Sequence, residues 1–224
     1  MRSFADLAFP QLCLGCGTRA QGALCDECYA DLDRIGPIAC RGCGFPAPKV
    51  TATCKECGRR GFNFDAARQT VPFEGAVRKA VHRMKYSSER ALASTLVDLL
   101  SEAASRLPPH PLTWVPASRR KIRERGFDHA ELLARSLGES LDRPVIGLLE
   151  KTREVRPQMR LLPTERSTNL ANALRCPLPA PIEVLVVDDV LTTGATLSEA
   201  SRALKAAGAR WVGGLCVART LPHE

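Results

Sequence analysis

Eight of the ten cysteines in this 224-residue chain fall in four Cys-x-x-Cys pairs before residue 58: Cys13/Cys16, Cys25/Cys28, Cys40/Cys43 and Cys54/Cys57. The short apolar pieces between them cannot build a sizeable core, so this stretch needs staples to fold. Two thiolates at one sharp turn reach the same tetrahedral ion, and four sulfurs close its coordination shell without leaving a place for water. The pairs therefore predict two structural Zn2+ ions. Sequential and interleaved pairing both satisfy the spacing. An iron–sulfur cluster uses the same Cys-x-x-Cys step, and disulfides would need an exported chain. Cys176 and Cys216 have no partner by spacing and are expected to pack as small apolar groups.

The start, "MRSFADLAFPQLCLGCG", has no continuous apolar run, and no stretch has the length of a membrane span. The expectation is a cytoplasmic protein without membrane insertion. Its organisation reads as a double zinc ribbon over 1–60 and a larger domain over 61–224. A net charge of +8 and a pI near 9.2 favour polyanionic partners, nucleic acid or phosphorylated metabolites. With aromatic residues at 5%, base-stacking platforms are not evident.

Past residue 60 the pattern alternates. "FNFDAARQTVPF" reads as an edge strand or short strand pair. "EGAVRKAVHRMKYSSERALASTLVDLLSEAASRL" has helical periodicity with a break near "YSSE", where serines suit a second helix start. "LTWVPAS" reads as a strand ending in a turn, "RRKIRERGF" as loop and "DHAELLARSLGESL" as helix. A short strand near "VIGLLEK", a polar stretch, and a helix opening at Pro163 follow. "IEVLVVDDV" and "RWVGGLCVA" are buried strands flanking the helix "LSEASRALKAAGA". Strands alternating with helices predict an α/β fold with a mostly parallel sheet covered on both faces.

The segment "VLVVDDVLTTGATL" carries the most chemistry. Glycine and small hydroxyl residues let backbone N–H groups converge on an anion, helped by the positive end of the next helix. The Gly-Lys-Ser/Thr ending of a Walker A loop is missing, as is Gly-x-Gly-x-x-Gly. Asp188 and Asp189 offer acceptors for a vicinal diol beside the phosphate, which describes a ribose 5-phosphate.

This segment resembles the phosphoribosyl pyrophosphate (PRPP) motif of type I phosphoribosyltransferases. The resemblance implies that Asp188 and Asp189 hold the ribose hydroxyls, while Thr192, Thr193, Gly194, Ala195 and Thr196 wrap the 5-phosphate. The four cysteine pairs, "HRMKY" at 82–86, "VPASRRKIRERGFDHAELLA" at 115–134, and Gln158, Leu161, Arg166 and Asn169 extend the likeness to the ComF/ComFC competence family over nearly the whole chain. That family commonly shows Arg-Gly-Phe-Asn-Gln where this chain has Arg125, Gly126, Phe127, Asp128 and His129.

From this likeness, the turn Val115, Pro116, Ala117 and Ser118 is expected to hold pyrophosphate opposite the acid pair. Lys151 and Arg153, with Arg156, Arg160 and Arg166, correspond to a mobile loop that brings positive charge to the leaving group. The implied catalytic set is Asp188, Asp189, Lys151 and Arg153, acting with Mg2+ on PRPP. The implied role is a DNA-uptake factor that binds PRPP and single-stranded DNA, with competence-machinery proteins as further partners. The alternative is a phosphoribosyltransferase of nucleotide salvage. Arg119, Arg120, Lys121, Arg123 and Arg125 form a basic run suited to phosphate backbones. Lys85 and Tyr86 offer a cation and a ring, although Tyr86 reads better as packed beneath a helix, and His82 as a surface or satisfied residue.

Overall fold

A computed structural model describes residues 12–86, 92–152 and 172–221. Two short helices, α1 (Asp26–Ala30) and α2 (Lys55–Arg60), belong to the cysteine-rich stretch. The following elements are β1 (Ala66–Pro72), α3 (Gly75–Tyr86), α4 (Ala93–Ala104), β2 (Leu112–Trp114), α5 (Arg119–Arg125), α6 (His129–Leu141), β3 (Glu150–Lys151), β4 (Leu174–Arg175), β5 (Glu183–Leu191), α7 (Ala195–Ala206) and β6 (Trp211–Arg219).

The main sheet runs β1-β6-β5-β2 with every pairing parallel, and β3 and β4 form a separate antiparallel pair. The near-continuous apolar run of β5 suits a strand buried on both sides. Successive side chains on a strand point to opposite faces. Leu185 and Val187 accordingly join Leu215 and Val217 in the core under α3, α4 and α6, whereas Val184 and Val186 join Val212 and Cys216 in the core under α7. Each fully buried leucine, such as Leu185, contributes about 2 kcal/mol of transfer free energy. The parallel arrangement gathers the ends of β5 and β2 at one sheet edge, where the sites of open α/β sheets lie.

The basic run expected as loop is instead the helix α5. The Ser118 hydroxyl accepts from the Lys121 amide at 3.4 Å, and Gly126 stops the helix in a left-handed conformation with φ 79°. One apolar residue in seven left no periodicity to read, but the cap and the stop are both local signals. The helix after the "YSSE" break begins at Ala93 with Leu92 as a cap that offers no side-chain bond; Ser87 and Ser88 lie outside the described residues, as does the helix expected from Pro163. Among the described residues, no helix is long and apolar enough to cross a membrane.

The cysteine-rich stretch packs onto the sheet. Its first half joins the α4 side, with Cys13, Ala23 and Leu24 in that core; its second half joins the α7 side through Cys40, Cys43 and Phe64.

Candidate functional site

The cysteines form two sets, Cys13/Cys16/Cys25/Cys28 and Cys40/Cys43/Cys54/Cys57, with the sulfurs of each set all within 4.8 Å of one another. This is the sequential pairing. Cys16 and Cys25 sulfurs are 3.7 Å apart, as are Cys40 and Cys57, and Cys43 and Cys54 are 3.6 Å apart. A tetrahedron with Zn–S bonds of about 2.3 Å has S–S edges of about 3.8 Å, so the sets fit Zn2+. Their ionisation argues the same way. Against the effect of burial, the Cys16 and Cys25 amides bring Cys13 down to about 6, while hydrogen bonding among Cys16, Cys13 and Cys25 pushes Cys28 up to about 12. The first thiolate forms easily and the last resists, which a dication at the centre would relieve. Glycine fits between the first pair because a Cβ on Gly15 would stand 2.8 Å from the Cys28 sulfur.

Asp188 and Asp189 lie in the C-terminal half of β5, Glu183–Leu191, and a carboxylate oxygen of each and a ring nitrogen of His129 all lie within 4.8 Å of one another. Asp189, 4% exposed, is ion-paired with Lys85 from the last turn of α3, and its Oδ2 lies 3.5 Å from His129 Nε2. His129 Nδ1 stands 3.3 Å from an Arg125 guanidinium nitrogen. A guanidinium only donates, so His129 Nδ1 is the acceptor in this contact and Nε2 is the ring nitrogen turned toward Asp189. Burial alone would raise the Asp189 carboxyl, but Lys85 and His129 hold it well below the usual carboxylate range. Asp188 behaves oppositely: burial first, then the Asp189 charge, pushes it up to about 8. Side-by-side carboxyls that do not both ionise at neutral pH are the expected result of this crowding.

The Val115–Ser118 turn lies beside this tip, with the Val115 amide donating to Val187 O at 3.2 Å. Asp128 ties the turn to α6: its Oδ2 accepts from Ala117 N at 2.7 Å and its Oδ1 from Ala130 N at 3.0 Å. Asp128 and His129 thus act as a helix cap and as a contact to the acid pair. Lys121 of α5 faces the same crevice; burial, then the charges of Lys151, Arg125 and Lys85, lower its pKa. Lys151, at the end of β3, therefore joins the site region, whereas Arg153, Arg156, Arg160 and Arg166 lie outside the described residues.

The loop after β5 exposes Thr192, half-buries Thr193 and buries Gly194. Gly194 is left-handed, φ 77°, and a Cβ there would meet the Phe62 ring at 2.7 Å, so no other residue fits. Helix α7 opens directly behind it at Ala195 and Thr196 with no side-chain cap. Its first-turn amides point to where an anion gains from the helix dipole.

Sequence reasoning missed Lys85 and His129 as partners of Asp189, and Phe62 as the support of Gly194. Tyr86, expected beneath a helix, is 62% exposed, with the Arg125 guanidinium 5.1 Å from its ring centroid and His82 5.7 Å away. Cys216 is buried in the α7-side core as expected, and Cys176 is half-buried with its thiol 3.1 Å from Leu178 O.

Two family models match separate parts of the chain. Residues 4–59 match the double zinc ribbon domain and residues 122–221 the phosphoribosyl transferase domain. The chain is 29% identical to the DNA utilization protein YhgH of Salmonella typhi, over 96% of this chain and 100% of that one. It is 26% identical to competence protein ComFC of Streptococcus pneumoniae, over 84% of this chain and 83% of that one. To competence protein ComFC of Bacillus subtilis it is 27% identical, over 81% and 77% respectively.

Proposed function

As the chain belongs to the ComF/ComFC-like competence family, with an N-terminal double zinc ribbon and a C-terminal phosphoribosyltransferase-like domain, we propose that it binds PRPP at the tip of β5 and engages single-stranded DNA during DNA uptake. The ribbon is taken to end near residue 60. The observation that carries the PRPP reading is the acid pair Asp188/Asp189 set among Lys85, Lys121, Arg125 and Lys151, with the Gly194 loop and the start of α7 alongside.

In this reading the ribose diol donates to Asp188 and Asp189, and the 5-phosphate takes the amides and hydroxyls of Thr192 to Thr196. Pyrophosphate lies by Val115–Ser118 under Lys121 and Lys151. Mg2+ prefers oxygen ligands and keeps several waters. Asp188, Asp189 and His129 each place a ligand atom within 4.8 Å of the others; with Lys85 and His129 already meeting Asp189, the acid pair would hold a hydrated Mg2+ arriving with PRPP mainly through Asp188. Mg2+ would supply neutralisation of the pyrophosphate charge. The lysines and Arg125 would hold that group and favour charge gathering on it, the condition for displacement at the anomeric carbon. The exposed basic face of α5 would contact DNA backbone by charge rather than by stacking.

Calorimetric titration of the zinc-loaded protein with PRPP and Mg2+, repeated with single-stranded DNA present, tests the reading. Micromolar binding, lost when Asp188 and Asp189 are both replaced by alanine, is expected. No heat in either titration rejects a ribose-phosphate site.

A further inference from the structure

We infer that the second cysteine set is a prop for the loop at 192–194, with Phe62 as the positioning residue that connects them; the ligand consequence rests on the PRPP reading above.

The connection is short in sequence and continuous in space. Helix α2 contains Cys57 and has Cys54 as its N-cap. It ends at Gly61, left-handed at φ 58°, whose amide donates to Cys57 O at 3.0 Å. The chain turns there straight into Phe62. The Phe62 ring lies over Gly194 at a distance that would admit no Cβ, and stacks on Phe64 with 4.5 Å between centroids. Phe64 is itself 6% exposed and shares a core with Cys40, Cys43, Leu197 and Ala200. The next residue, Asn63, donates to the Ser198 hydroxyl from its backbone at 3.0 Å and from its side chain at 3.1 Å. Ser198 N in turn donates to Gly194 O. The far end of the loop is therefore held by residues two to four places after the α2 helix that bears this cysteine set.

The near end is held from the same set by another route. Arg219 donates to Cys43 O at 2.6 Å, and β6 pairs Arg219 with Leu191, the residue before Thr192. The Thr220 amide closes this end by donating to Leu191 O at 3.1 Å. Both flanks of the loop thus depend on where Cys43 and Cys57 sit.

Among the described residues, the first set has no such route. It anchors to the helices on the opposite face, through Ala23 N to the Thr95 hydroxyl at 2.9 Å and the Tyr29 hydroxyl to Glu102 at 2.5 Å. Two sets that look alike in sequence consequently differ in duty. One secures α4, and the other presets the loop that a phosphate would enter. A preset loop loses less freedom when its ligand binds, which raises affinity without adding a contact.

Amide exchange over 192–198 reads the prop without any ligand, and PRPP calorimetry reads its consequence, both on the full zinc-loaded chain. Phe62→Ala is expected to keep both metals, to speed exchange over 192–198 about tenfold and to weaken PRPP about tenfold. Phe62→Leu, which keeps an apolar contact, should restore most of each. Replacing Cys54 and Cys57 by serine should speed exchange at the loop, and replacing Cys25 and Cys28 should not. Wild-type exchange in Phe62→Ala overturns the inference, as does an equal effect from both cysteine pairs. Should exchange respond as expected while wild-type protein binds no PRPP, the prop stands and the ribose-phosphate reading falls.

Discussion

Lys85, in the last turn of α3, forms an ion pair with Asp189 at the tip of β5, joining two elements that are far apart in the chain. The carboxylate is 4% exposed, so the pair matters more for what its loss leaves behind than for its own attraction. Removing one member strands a buried charge, which costs about 3 kcal/mol. Lys85→Met should therefore lower the urea midpoint clearly, and Lys85→Arg less. A midpoint equal to wild type would show that His129 alone suffices for Asp189.

Asp188 predicts the opposite sign. Its folded pKa of about 8 lies above the ordinary value of 3.8, so the folded state holds a proton that the unfolded chain gives up first. Stability is thus lost as pH climbs from about 4 to about 8 and is level beyond. Asp188→Asn removes that loss. Its advantage over wild type should grow from pH 5 to pH 8, while PRPP binding disappears. Midpoints measured at pH 5, 7 and 9 check this, and an advantage that shrinks with rising pH would refute it.

Asp128 caps α6 and also accepts from the Ala117 amide of the Val115–Ser118 turn. Its replacement by alanine removes a cap and strands a turn donor, a cost of about 2 kcal/mol. Asp128→Asn retains the cap through Oδ1 and should sit between the two in thermal unfolding. Indifference to either change would mean that the turn is held by other bonds.

Metal content offers a separate check. Chelation should release about two Zn2+ per chain, one from each cysteine set, and a value near one would remove a set from the assignment. Alanine at both Asp188 and Asp189 should leave that number unchanged.

The basic residues of α5 divide by exposure. Arg119 and Arg120 are exposed, whereas Lys121 is half-buried toward the acid pair. Neutralising both arginines should lower the salt slope of single-stranded DNA binding by about 1 to 2 and spare PRPP. Lys121→Ala should weaken PRPP instead. An unaltered slope would move the DNA contact away from α5.

What was legible in the sequence was local. Cys-x-x-Cys spacing is set by one turn, and the passage from a β-branched run through Asp188 and Asp189 to Gly194 and an amphipathic helix is continuous, so both could be read residue by residue. The sequential grouping of cysteines could not, because turns alone permit either pairing. Lys85, His129 and Phe62 were missed as partners for a different reason: each meets its target across the sheet or between elements, and no periodicity encodes such a meeting. The charged α5 was misread because Ile122 gives too little apolar pattern, although Ser118 and Gly126 marked its ends. Tyr86 was read as packed because rings on amphipathic helices usually are, whereas it is 62% exposed with the Arg125 guanidinium over its ring.

The outer side of β1 has one further consequence. The Ala67 amide donates to Gly42 O at 2.6 Å, and Thr70 O accepts from the Ile35 amide at 2.7 Å, so cysteine-bearing loops occupy hydrogen-bonding positions that a strand at the margin of a sheet would otherwise leave bare. An open margin is a template for intermolecular pairing. Loss of these loops would bare that margin, so protein produced under zinc starvation should be lost to aggregates seeded along β1.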